Sequence, residues 1–142
     1  MSHTIQVKPA SIDHVAALVE FNRAMARESE DKGLDEVVLA RGVRNLLGRP
    51  DEGFYLVAEC DGTLAGSLMV TYEWSDWRDG RFWWIQSVYV RPKLRRKGVY
   101  RALHEQVRTL AKNANDACGI RLYVERENTG AMATYRNLGM SE

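Results

Sequence analysis

The chain has 142 residues, 45% apolar and 27% charged, with 20 Lys and Arg against 19 Asp and Glu. That length suits one domain over residues 1–142, and that composition suits a packed core. A net charge of +1 argues against a nucleic-acid binder, which carries a basic excess. Cys60 and Cys118 lie far apart and outside any CxxC, so neither a disulfide framework nor a zinc site is expected, and no metal is assigned. Met1-Ser2-His3-Thr4 lacks a signal peptide's charged and apolar regions, and no apolar run approaches the ~20 residues that span a membrane. A cytoplasmic protein without a membrane partner is the expectation.

Thr4 to Lys8 alternates and reads as a first strand, stopped by Pro9. Ser11 is placed to cap a helix whose stripe is Val15, Leu18, Val19 and Met25, running to about Glu30 and ending near Gly33. A second helix is expected over Asp35 to Leu47, closed by Gly48 and Pro50. Gly53 to Cys60 reads as a strand. Asp61-Gly62 predicts a tight hairpin, Thr63 to Trp74 returns, Asp79-Gly80 turns again, and Arg81 to Val90 completes a meander. A third helix runs from Gly98 to about Ala114, with Val99, Leu103, Val107 and Leu110 inward; His104 is expected on its surface. Ile120 to Glu125 reads as another strand. Asn128 caps a last helix from Thr129 to Leu138, ended by Gly139. The order predicts a mixed α/β (α+β) sheet flanked by helices.

The stretch from Val88 to Leu103 carries the chemistry. Val88, Tyr89 and Val90 favour an extended strand, and Pro92 ends it. The helix start that follows exposes unpaired N–H groups and partial positive charge, which suit a phosphate. Gly98 permits close backbone approach, and Arg95, Arg96 and Lys97 add full charges, with arginine able to grip phosphate oxygens in a fork. A solvated basic turn is the plainer alternative. Neither GxxxxGK[ST] nor GxGxxG is present.

Arg95-Arg96-Lys97-Gly98-Val99-Tyr100, preceded by Val-Tyr-Val-Arg-Pro, resembles the acyl-CoA-binding signature [Q/R]-x-x-G-x-[G/A] of the GNAT-type N-acetyltransferases. Tyr100 departs from it, replacing Gly or Ala; the ring either narrows the approach to the pyrophosphate or points sideways from the helix. The element order matches this family's fold across nearly the whole chain, a GNAT-like, mostly antiparallel twisted sheet. The family's final strand is missing: Met140-Ser141-Glu142 would at most begin it, so truncation or a strand from a neighbouring chain is implied, and an open sheet edge invites a homodimer.

The resemblance implies acetyl-CoA as co-substrate and transfer of its acetyl group to a primary amine, of a small molecule or a peptide, by direct attack in a ternary complex. It implies that the pantetheine arm pairs with the backbone at Val88 and Val90, beside the strand Leu122 to Glu125, and that a bulge near Ser87 aims an N–H at the thioester oxygen. The cofactor set is then Val88, Val90, Arg95, Arg96, Lys97, Gly98, Val99, Tyr100, Arg101 and Asn128. Asn128 is a helix cap as well as a contact. Tyr135 falls where the family has its general acid, and a phenol suits protonation of a thiolate. Glu73 is the candidate base, Asp76 the next, and Gln86 is placed to order a water. Carboxylates at Glu28, Glu30, Asp31, Asp35, Glu36, Glu73 and Asp76, with Trp74, Trp77, Trp83 and Trp84, suit a cationic acceptor. The rivals are an acyl-CoA-binding module without turnover and a nucleic-acid-binding domain using Arg91 to Arg101.

Overall fold

Residues 3–124 and 126–142 are described by the computed structural model, the side chain of Glu30 excepted; Glu125, the predicted end of the fifth strand, lies outside the described residues. In chain order the elements are β1 (Ile5–Pro9), α1 (Val15–Glu30), α2 (Glu36–Leu47), β2 (Gly53–Cys60), β3 (Thr63–Ser75), β4 (Gly80–Val90), α3 (Val99–Asn113), β5 (Ala117–Arg121) and α4 (Thr129–Asn137). The five strands form one sheet in the order β1-β2-β3-β4-β5. Neighbours are antiparallel up to β4, and β5 runs parallel to β4.

Local chemistry fixes the turns. Asp61 and Gly62 both have left-handed backbone, φ 51° and 83°, the requirement of the tight turn that matches strand twist. Asp61 also accepts the Thr4 N–H at 2.9 Å and contacts His3 Nδ1 at 2.9 Å, which ties β1 to the hairpin. Helices cover both faces. Leu56, Leu68, Val70 and Ile85 pack under Leu103 and Val107 of α3, while Tyr55 and Val57 meet Leu18 of α1 and Val43 of α2 on the other face. Each buried leucine or valine contributes about 1.5–3 kcal/mol through removal from water.

Four expectations need correction. Pro9 does not stop β1 but ends it, opposite Leu56; β1 is an edge strand, where a residue without an N–H is tolerated. Helix α1 runs to Glu30 as expected, but its cap is Asp31 rather than Gly33: with φ 48° at Asp31, the Asp31 N–H reaches the Arg27 carbonyl and the Lys32 N–H that of Ala26; aspartate enters this region more readily than most residues. His104 is not on the surface: it is 2% exposed. Finally, β5 starts at Ala117 and stops at Arg121. Its early start depends on Gly119, where a Cβ would lie 2.8 Å from the Phe82 ring; a glycine that reads as a loop is there to admit an aromatic ring.

Two irregularities in β4 position the site. Ser67 pairs with Tyr89 and Met69 with Gln86, so Leu68 alone faces Ser87 and Val88. This is a β-bulge, and Ser87 takes a φ of 52°. Pairing with β5 is also short: it spans Arg81 to Trp84. From Ile85 to Val90 no strand among the described residues pairs with the outer edge of β4, and Leu122 to Val124 carry no strand structure.

Candidate active site

The loop after β4 is shaped by its backbone. Pro92 opens a single 3-10 turn through Leu94, and Arg95 is extended. Arg96 and Gly98 then have φ of 62° and 88°, flanking Lys97, which is not left-handed. Alternating handedness turns successive N–H groups to one side, a concavity that holds anions. It leads directly into the first turn of α3, where further N–H groups lack partners. A Cβ at Gly98 would meet only the Ile5 Cδ1 at 3.6 Å; the left-handed backbone, not crowding, calls for glycine there.

A cleft of about 600 Å³ opens beside this loop, large enough for a cofactor. Val88, Val90, Arg95, Arg96, Gly98, Val99, Tyr100, Arg101 and Asn128 all line it. Of the residues picked from the sequence for the cofactor, Lys97 is not in the lining. The cleft also has a wall that sequence reasoning did not assign to the cofactor: Met25, Glu28 (expected at the acceptor) and Ser29 from the last turns of α1, and Thr134 from α4. The helical stripe of α1 assigned Met25 to the core, and nothing in the pattern said that this end of the helix borders the loop.

The loop's cations are not all free. Arg91 donates to Glu20 Oε1 and to the Leu64 carbonyl, each at 2.9 Å, and lies over the Phe21 ring at 4.8 Å. Arg95 donates through Nε to the Val90 carbonyl and through Nη2 to Glu28 Oε1, both at 2.8 Å. The Arg95 hydrogen bond holds the Glu28 carboxyl below the usual range, with a further contribution from the Tyr89 hydroxyl. These contacts strap α1 to the strand end. They also spend side chains that a nucleic-acid-binding reading of Arg91 to Arg101 would need free.

Tyr100 lines the cleft and also turns inward. Its hydroxyl lies 3.1 Å from His104 Nδ1, and its ring meets those of His104 and Tyr135 edge-on at 5.7 Å. Burial raises both phenol pKa values, while burial and Arg108 lower that of His104, so the neutral form of each is favoured. The spacing of Tyr100 and His104, four residues apart on one helix, was the available signal for this pair. Tyr135 itself borders a second cavity, of about 340 Å³, with Trp84, Arg121, Leu122 and Met132. Asn128 Oδ1 accepts the Ala131 N–H at 3.0 Å, so it caps α4 while lining the cleft.

The candidate acceptor residues are arranged differently. Glu73 stands opposite Phe82, five residues along β3 from Leu68 at the bulge, about 17 Å at the strand rise. Its carboxylate accepts from Trp84 Nε1 at 2.9 Å and from Arg121 Nη1 at 3.2 Å. Arg121 in turn lies 3.5 Å over the Phe82 ring, and Trp84 stacks on Tyr123 at 4.8 Å. Gln86, next to the bulge, donates to Thr71 Oγ1. Glu73, Trp74, Asp76 and Trp77 border a polar hollow of about 220 Å³. Among the described side chains, which exclude that of Glu30, the other carboxylates do not converge: Asp35 caps α2, Glu36 pairs with Arg23 at 3.3 Å, Asp31 ends α1, and Glu28 belongs to the cofactor cleft. Trp83 is buried against Phe54 and Tyr72 and serves the core.

Comparison with known proteins bears on the family and the fold. Residues 15–140 match the family model described as Acetyltransferase (GNAT) family. A possible acetyltransferase from Clostridium difficile 630 is 42% identical, with a TM-score of 0.88, over 97% of this chain and 91% of that one. A predicted acetyltransferase from Clostridium acetobutylicum, solved with acetyl-CoA, shares the fold at 18% identity, with a TM-score of 0.79 over 98% and 91% of the two chains. Glucosamine-6-phosphate N-acetyltransferase from Arabidopsis thaliana does so at 19% identity, with a TM-score of 0.76 over 98% and 92%. No curated protein sequence matches the chain.

Proposed function

Because the chain belongs to the GNAT acetyltransferase family, and is therefore an acyltransferase, we propose that it moves an acetyl group from acetyl-CoA to a primary amine by direct attack in a ternary complex. The observation that carries this reading is the continuity of one cleft. It runs from the open edge of β4 at Val88 and Val90 to the left-handed residues Arg96 and Gly98 at the start of α3. In this reading the unpaired edge of β4 adds the pantetheine arm as a strand would. The Arg96–Gly98 backbone and the first turn of α3 hold the pyrophosphate, with Arg96 and Arg101 supplying charge.

The chemistry asked of the chain is modest. Positioning two reactants supplies at most ~7–11 kcal/mol of the barrier. A backbone N–H at the Ser87 bulge polarises the thioester carbonyl. The amine nitrogen bonds to the carbonyl carbon, the carbon–sulfur bond breaks, and Tyr135 gives its proton to the departing sulfur. Tyr135 carries its proton at neutral pH, as a phenol ordinarily does, and burial raises its pKa further. Glu73 lies about 17 Å along β3 from the bulge, so the amine's proton reaches it, or Asp76, by relay through water. The acceptor is a cationic amine of a small molecule or a peptide, supported by the carboxylates and exposed Trp74 and Trp77 around the β3–β4 turn.

Release of free thiol from acetyl-CoA in the presence of a panel of primary amines tests this reading. Amine-dependent thiol release is the expected result. Tight acetyl-CoA binding without release under any amine would replace it with the reading of a module that only binds acyl-CoA.

A further inference from the structure

We propose that Arg95 is a cation shared between two anions, the Glu28 carboxylate in the free protein and the pyrophosphate of the cofactor in the complex. Glu28 thereby sets cofactor affinity by competing for the arginine. The inference rests on the acyl-CoA reading above and assigns Glu28 a role in it.

Both partners line the cleft, and Glu28 is the one carboxylate among the described lining residues. Arg95 is held ready for exchange. Its Nε is fixed on the Val90 carbonyl at 2.8 Å, and its Cζ lies 5.5 Å from the Tyr89 ring centre, so only the Nη2 end is engaged with Glu28 Oε1. The guanidinium carries five donors and prefers the forked geometry of a phosphate. The ion pair is easily given up, because its side chains are 44% and 43% exposed and pairs so exposed contribute little. The neighbouring pair of Arg91 with Glu20 joins the same two elements, but neither residue lines the cleft. It provides a control of equal charge.

Calorimetric titration with CoA tests the competition on the wild type, Glu28→Gln, Arg95→Gln and the double variant. Glu28→Gln is expected to tighten CoA about threefold, and Arg95→Gln to weaken it about tenfold. The gain from Glu28→Gln should shrink when Arg95 is already Gln, because no shared cation remains to be released. A gain as large or larger in that background would mean that the carboxylate merely repels the cofactor, and would overturn the proposal, as would no gain at all. Glu20→Gln should leave CoA affinity unchanged; an equal gain there would also overturn it. Carbon-13 NMR of the Glu28 carboxyl gives a second reading. Its pKa should lie below the ordinary range in the free protein and rise when CoA saturates the site; an unmoved value would contradict the exchange. A wild type that binds no CoA would instead refute the acyl-CoA reading on which the inference rests.

Discussion

The two ends of β4 contribute to the site by different means. At its C-terminal end the chain presents backbone: a bulge at Ser87, an unpaired strand edge, left-handed Arg96 and Gly98, and a helix start. At its N-terminal end, the β3–β4 hairpin, the chain presents side chains. Glu73, Arg121, Trp84, Tyr123 and Phe82 hold one another there by hydrogen bonds, an ion pair and stacking. Backbone devices follow from the fold and recur wherever it does. Side-chain devices can be exchanged one residue at a time without disturbing the sheet. A family likeness therefore reaches the cofactor end with force and says little about the acceptor end.

The sharpest way to break the contrast is at Gly98. An aspartate there would have to adopt a left-handed φ and would bring a negative charge into the anion site. CoA affinity should fall about 100-fold or more by titration calorimetry; a near-normal Kd would refute the pyrophosphate assignment. Tyr135→Phe comes next. With the most active amine of the panel, kcat should fall about 100-fold while CoA affinity holds, and full activity would remove the phenol as the acid. Arg96→Ala should cost about tenfold in CoA affinity through loss of a charged phosphate contact, and little in the thermal midpoint.

Two smaller effects probe the side-chain end and the interior. Glu73→Gln keeps an acceptor for the Trp84 indole but removes the charge paired with Arg121. If Glu73 is the base, the acid limb of the pH–rate profile moves; if the limb stays in place, the base is Asp76 or water. His104 gives a pH dependence of stability. Burial lowers its pKa in the folded state, so below the ordinary value of about 6.5 the unfolded chain binds more protons and the fold loses stability. Denaturation midpoints should drop between pH 7.5 and pH 5.5 more in the wild type than in His104→Gln, and equal drops would exclude His104 as the titrating group.

Much of this was legible in the sequence where local rules govern. Gly53–Cys60 and the Asp61-Gly62 turn follow from alternation and turn chemistry, and Asn128 caps α4 as its position predicts. The resemblance at Arg95 to Tyr100 selected nine residues that share one cleft. What stayed hidden depends on contacts between distant segments. Gly119 could not be read as part of β5 without knowing that Phe82 lies against it. The pairing of Glu28 with Arg95 joins residues 67 positions apart, and no period reports it. His104 looked like a surface residue of a basic helix, because its partner is a tyrosine in a position where the family carries a small residue.

Ser87 has a consequence for how the chain tolerates change. A serine held at φ 52° stores about 1 kcal/mol of backbone strain. The pairing of Ser67 with Tyr89 and Met69 with Gln86 keeps it there. Glycine would adopt the same backbone at ease, and the protein would gain stability from that exchange. It would also leave the direction of the bulge N–H held by strand pairing alone, without the side chain's restriction of the backbone. Under the proposed role of the Ser87 N–H in turnover, selection for heat resistance and selection for turnover pull this single position in opposite directions.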